Sequence, residues 1–207
     1  MNLKLKRAIV LNIFVVVSCV VGIIAMKPNI GMFRYYTIDS NILCAISSLL
    51  FVIFAFLKKE QKQIPLFVMK LRYASTCCLV VTFIVVVTLL SIMNEGTYID
   101  NLVKMTFSSP FVYHHFFCPA LSFISFVLLE GDRRLNKKKT IWWAVLPTII
   151  YGVIAIILNI LKVFEGPYPF LMVNKQPIYM TILWSTLILL GDYFISRFTL
   201  LFNQMNS

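Results

Sequence analysis

Residues 8–26 read AIVLNIFVVVSCVVGIIAM, nineteen positions without a charged side chain. A helix rises 1.5 Å per residue, so a run of this length matches the ~30 Å hydrocarbon layer of a bilayer. Five further apolar blocks follow, at roughly 38–57, 73–93, 111–129, 142–161 and 178–201. The whole chain is 60% hydrophobic with a mean hydropathy of +0.87. These blocks predict an all-α integral membrane bundle of six transmembrane helices. The polar connectors between them are too short for a soluble fold, so residues 1–207 form a single domain. The first block follows Lys4, Lys6 and Arg7 and so has the flank of a signal peptide. Its apolar run exceeds the usual ~7–15 residues and no clear small-residue cleavage site follows, so it reads as a span.

Orientation follows from lysine and arginine, which are retained in cytoplasmic loops. The N-terminal tail holds Lys4, Lys6 and Arg7. The second connector holds Lys58, Lys59, Lys62, Lys70 and Arg72, the fourth Arg133, Arg134, Lys137, Lys138 and Lys139, and Arg197 lies near the C-terminus. Together these are fourteen of the 19 basic residues; Lys27, Arg34, Lys104, Lys162 and Lys175 are spread over the other three connectors. Both termini are therefore expected in the cytoplasm. The net charge of +11 is the charge that flanks membrane helices and meets anionic lipid, and no soluble fold displays it to a nucleic acid.

All five cysteines, Cys19, Cys44, Cys77, Cys78 and Cys118, fall inside the proposed spans, and their number is odd. No disulfide framework or zinc-type spacing is implied, and the cysteines read as small packing residues. The Gly-rich phosphate loop, GxSxG elbow and HExxH pair are absent from the sequence. Chemistry must then come from polar groups inside the membrane, where they are costly and mark functional candidates.

Span two opens Thr37-Ile38-Asp39-Ser40-Asn41. At 100° per residue Thr37, Asn41, Cys44 and Ser48 fall within about 60° of one another, with Ser40 and Ser47 beside them, a stripe that faces protein or water. Asp39 points elsewhere and suits the positive end of the helix dipole. In span four Pro110 suits a first turn, and His114, Cys118, Ser122 and Ser125 fall within about 80° of each other, with His115 at the margin. His114 and His115 are the only imidazoles in the chain. Spans two and four run in the same direction, so Thr37 and the histidines lie within about one turn of the outer surface at matched depth. A hydroxyl and an imidazole so placed can serve as nucleophile and base. They equally suit an N-cap threonine and a histidine bonding a neighbouring helix. Adjacent histidines cannot supply both axial ligands of one haem.

The fifth connector carries Glu165-Gly166-Pro167-Tyr168-Pro169-Phe170-Leu171, stiffened by proline and aromatic as the headgroup zone prefers. It reads as an aromatic belt or a substrate lid. Asn159, near the outer end of span five, is placed to donate to an oxyanion or to bridge helices.

The segments Arg34-Tyr35-Tyr36-Thr37-Ile38-Asp39-Ser40-Asn41, Tyr113-His114-His115-Phe116-Phe117-Cys118-Pro119 and Tyr168-Pro169-Phe170-Leu171 resemble, in order and approximate spacing, those of the androgen-induced and androgen-dependent TFPI-regulating membrane proteins and their bacterial relatives. The resemblance covers nearly the whole chain. In the animal members a threonine at the start of span two and a histidine in span four form the active site of an intramembrane hydrolase acting on fatty-acid esters of hydroxy fatty acids. The resemblance implies that Thr37 is the nucleophile. Distance to the following proline matches either His114 or His115 to the base.

The expected function is then hydrolysis of lipid esters by a membrane protein that needs no metal or organic cofactor. Ser40, Asn41, Asn159 and Tyr168 are candidates for substrate or oxyanion contacts, and acyl transfer to a lipid hydroxyl is the related option. A small transporter or channel is the competing class. It is disfavoured because the middle of the bundle is expected to lack ionisable residues; a non-enzymatic partner subunit is the third. Topology is testable first. In a cysteine-light background, single cysteines at positions 61 and 136 should be shielded from an impermeant thiol reagent in intact cells, and those at 98 and 175 labelled. The reverse pattern contradicts the assignment.

Overall fold

A computed structural model describes residues 2–57, 63–135 and 138–206, and every regular element among them is helical. In chain order these are α1 (Leu3–Ala25), α2 (Tyr36–Leu57), α3 (Leu66–Met93), α4 (Tyr98–Phe107), α5 (Tyr113–Leu129), α6 (Ile141–Ile160) and α7 (Ile178–Met205). Short 3₁₀ turns connect them. Of these, α1, α2, α3, α6 and α7 are long and apolar enough to cross a membrane. The expected fourth span is α5, whose 17 residues make it the short one, about 25 Å long.

Local sequence sets the boundaries. The Asn2 side chain accepts from the Leu5 N–H at 2.8 Å and starts α1. Thr97 does the same for α4 through Asp100, and Pro65 and Pro177 precede α3 and α7. Pro119 has no N–H to offer the His115 carbonyl. The preceding turn, Tyr113–Phe117, widens into a π-turn, in which the Cys118 N–H reaches back to the Tyr113 carbonyl. A second π-turn, Val86–Leu90, interrupts α3.

The helices turn large apolar side chains outward and small or polar ones inward. Phe14, Phe56, Ile154 and Phe198 are exposed, whereas Asn12, Ser47, Ser48, Ser75, Thr76, Ser122 and Ser125 are buried. That pattern suits a lipid surround, where interhelical hydrogen bonds and close packing of small residues hold helices together. Lys4 hydrogen-bonds to the Asn206 carbonyl, so the first and last helices meet at one end of the bundle.

Two expectations are corrected here. The third connector contains a helix, α4, too short to register as an apolar block. The interior is also not free of ionisable groups. Helix α3 begins seven residues before the block at 73, so Arg72 lies inside it and is fully buried. Its guanidinium makes a two-pronged ion pair with Glu130, Nε to Oε2 and Nη2 to Oε1, both at 3.0 Å and both side chains fully enclosed. Ser48 and Ser122 of the neighbouring helices accept from Nη1, and Asn12 and Ser125 donate to Glu130 at 2.7 and 2.6 Å. Midway along α7, Asp192 is also fully buried, with Ser196 donating to Oδ1 at 3.1 Å and the Thr148 hydroxyl beside the carboxylate. Lys58, Lys59, Lys62 and Lys137 of the basic clusters lie outside the described residues.

Removing one partner of an enclosed ion pair strands the other charge, at a cost of about 3–5 kcal/mol, whereas removing both leaves no charge to strand. Arg72→Met and Glu130→Gln should each lower the thermal midpoint of the purified protein sharply. The double variant should recover part of the loss; equal or additive losses would show that the pair does not act as a unit.

Candidate active site

Thr37 is the second residue of α2, where helical N–H groups lack intrahelical partners. Its N–H donates to the Tyr168 phenol oxygen at 3.3 Å, and its Oγ1 lies 3.4 Å from the same oxygen. Tyr168 reaches this position because its loop folds tightly. Gly166 packs so closely on Leu171 that an added Cβ would sit 2.5 Å from the Leu171 carbonyl oxygen. The Tyr168 ring stacks on Phe170 at 5.2 Å and meets Tyr35 edge-on at 6.1 Å. Burial pushes the Tyr168 phenol up to about 12, so it remains a neutral donor at physiological pH.

Thr37 and Tyr168 line a cavity of about 150 Å³ between α2, α3, α6, α7 and this loop. Its walls are mostly apolar, with Val81, Val85, Val86 and Leu90 of α3, Ile149 and Ile156 of α6, and Ile188 and Leu189 of α7. Hydroxyls from Tyr36, Thr82, Thr148 and Ser185 supply the remaining polarity. The connector therefore lines the cavity with Tyr168, Phe170 and Leu171 and meets the start of α2.

The first turn of α5 lies beside that of α2. The Asn41 amide donates to the Thr37 carbonyl at 2.7 Å and to the His114 carbonyl at 3.2 Å, so one side chain ties the first turns of α2 and α5 together. The expected direct contact does not form: neither imidazole is hydrogen-bonded to the Thr37 hydroxyl, whose partner is Tyr168. The two rings have different surroundings. His115 bonds through Nδ1 to the Met105 carbonyl of α4 and stacks on Phe111 at 5.6 Å. With Nδ1 carrying the proton, its Nε2 keeps a lone pair. His114 is 1% exposed, its ring meets the Gly22 backbone, and neither ring nitrogen has a side-chain partner. It packs against Gly22 of α1, where a Cβ would come within 2.6 Å of its Nε2.

The other candidates separate. Ser40 is spent on the Thr37 carbonyl and the Thr82 hydroxyl, at 3.1 and 3.2 Å. The Asn41 Nδ2 is committed to the two carbonyls above, and its buried Oδ1 has no partner. Asn159 lies with Asn174, Lys175 and Glu165 around a separate depression and does not reach the Thr37 cavity. Sequence reasoning passed over Asp192 altogether, although an acidic residue within an apolar block, four before a serine, is itself a signal. Among the described residues no three His, Cys, Asp or Glu side chains converge as metal ligands.

Fold and site together define an all-helical bundle with membrane-spanning character and a hydroxyl-ended internal cavity. No protein-family model, curated protein or solved structure matches the chain.

Gly22→Ala tests how tightly His114 is held. The new methyl meets both the imidazole and Tyr113 Cβ, at 2.6 and 2.8 Å, and overpacking of this kind costs about 1–3 kcal/mol. A fall in thermal midpoint should follow, relieved in Gly22→Ala/His114→Ala, where the ring is gone. An unchanged midpoint in Gly22→Ala contradicts the close approach.

Proposed function

We propose that this protein is a membrane-embedded hydrolase of lipid esters with Thr37 as nucleophile. The observation that carries the reading is the hydroxyl of Thr37 at the polar end of an otherwise apolar cavity, beside a helix N-terminal N–H and a neutral phenol. The resemblance of the Thr37 and His114-His115 segments to intramembrane threonine hydrolases supports it. The distribution of basic residues supports an extracytoplasmic position for this end of the bundle, where a fatty ester's carbonyl would meet water.

In the proposed reaction Thr37 Oγ1 attacks the ester carbonyl carbon and its proton passes to an imidazole. His114 is assigned as that base because neither ring nitrogen is committed to another side chain and its own carbonyl shares the Asn41 amide with Thr37. The two groups are not in contact, so one water carries the proton between them, an arrangement that substrate binding tightens. The Thr37 N–H and the Tyr168 phenol stabilise the oxyanion. Collapse breaks the carbonyl–oxygen bond, and the departing alkoxide takes the proton from His114. Water then attacks the acyl-threonine, giving its proton to His114, and the acid leaves as Thr37 regains its hydroxyl. A lipid hydroxyl in place of water makes the same site an acyltransferase.

Purified protein assayed on a panel of fatty-acid esters should lose essentially all turnover as Thr37→Ala. That change costs only about 0.5–2 kcal/mol of stability at a helix start. His114→Gln should fall by two or more orders of magnitude, as removal of a general base does, and His115→Gln far less. Full turnover by Thr37→Ala overturns the mechanism, and the reverse order of the histidine variants overturns the choice of base. A second reading, a small carrier, is favoured by one observation: the enclosed Arg72–Glu130 pair and Asp192 are ionisable groups of the kind carriers hold inside the bundle.

A further inference from the structure

A second, larger cleft of about 860 Å³ lies on the bundle surface between α2, α3 and α6. Its rim carries Leu146, Ile150 and Ile154, each about half exposed and directed to the surround. The inner end, near Trp143 and Leu71, is apolar. Charge appears only at the end where α2 begins, as Arg34 and Asp39. These two do not pair with each other. Arg34 lies over the Phe164 ring at 5.3 Å, and the Asp39 carboxylate has no hydrogen bond or ion pair among the described residues.

One free cation and one free carboxylate at a single end of an apolar, laterally open cleft are complementary to a zwitterionic amphiphile. We propose that the cleft binds one phospholipid bearing a phosphoethanolamine headgroup. Its phosphate meets the planar donors of Arg34, its primary ammonium meets Asp39, and one acyl chain runs along Leu43, Leu146 and Ile150. A guanidinium matches phosphate oxygens two at a time, and an ammonium with N–H donors can hydrogen-bond a carboxylate where a trimethylammonium cannot. An anionic headgroup without an amine would leave Asp39 unpaired and repelled.

The cleft is also the neighbour of the Thr37 cavity. Tyr36 and Tyr151 are the two residues that line both, their rings 5.0 Å apart and their hydroxyls held by Thr148 and by the Arg34 carbonyl, each at 2.7 Å. A lipid chain in the cleft thus lies one aromatic wall away from Thr37. Binding does not depend on Thr37 being a nucleophile.

The test is native mass spectrometry of the full-length protein in detergent, titrated with phosphatidylethanolamine, phosphatidylcholine and phosphatidylglycerol of identical chains. One phosphatidylethanolamine should be retained on the order of tenfold better than the other two, the worth of one charge-assisted contact. Asp39→Asn should erase the preference over phosphatidylcholine and phosphatidylglycerol, and Arg34→Gln should weaken retention of all three. Thr37→Ala should bind as wild type does, which separates this site from the hydrolase reading. A phosphatidylethanolamine with a diazirine in its acyl chain should crosslink to residues 143–158. Equal retention of the three lipids, preference for phosphatidylglycerol, or an Asp39→Asn variant that keeps the preference would overturn the proposal.

Discussion

The enclosed Arg72–Glu130 pair is the constraint on which the rest of the bundle depends. A guanidinium and a carboxylate without access to water are tolerable only when every donor and acceptor is met. Meeting them draws in Asn12 from α1, Cys44 and Ser48 from α2, and Ser122 and Ser125 from α5. Four helices are thereby fixed in register by one ion pair. Lipid offers no hydrophobic reward for helix association, so such polar contacts and close approaches like Gly22 on His114 hold the arrangement. The same register brings the backbones of Thr37 and His114 together, their carbonyls bridged by Asn41.

Much of this was legible in the sequence. Apolar block length located the five helices long enough to cross a membrane and the shorter α5, because membrane thickness acts on length directly. The inward stripes of α2 and α5 appeared as predicted, since a helix with polar groups on one face has one face to bury. The first turns of α2 and α5 are tied together through Asn41. What could not be read was pairing across helices. Arg72 was assigned to a connector because charge counting places arginine outside the membrane, whereas a partner 58 residues away permits it inside. Asp192, an acid within an apolar block, signalled an inward side chain but not what it meets there. Tyr168 reaches Thr37 from 131 residues away through a loop whose closure depends on Gly166.

The site differs from a preassembled nucleophile and base. Thr37 is capped by a phenol, and the imidazole without a side-chain partner faces α1. Displacing Tyr168 from the Thr37 N–H would free a helix terminus suited to negative charge, and the ligand that does so would need an oxygen where the phenol oxygen lies. An ester carbonyl has that oxygen, with an apolar tail to fill the cavity behind it.

The most direct measurement is the site of covalent capture. Purified protein treated with a lipid-tailed fluorophosphonate, digested and mapped by tandem mass spectrometry should carry the adduct on Thr37, with labelling suppressed by competing fatty ester. An adduct on another residue, or ester turnover with Thr37 unmodified at full probe occupancy, would contradict the account.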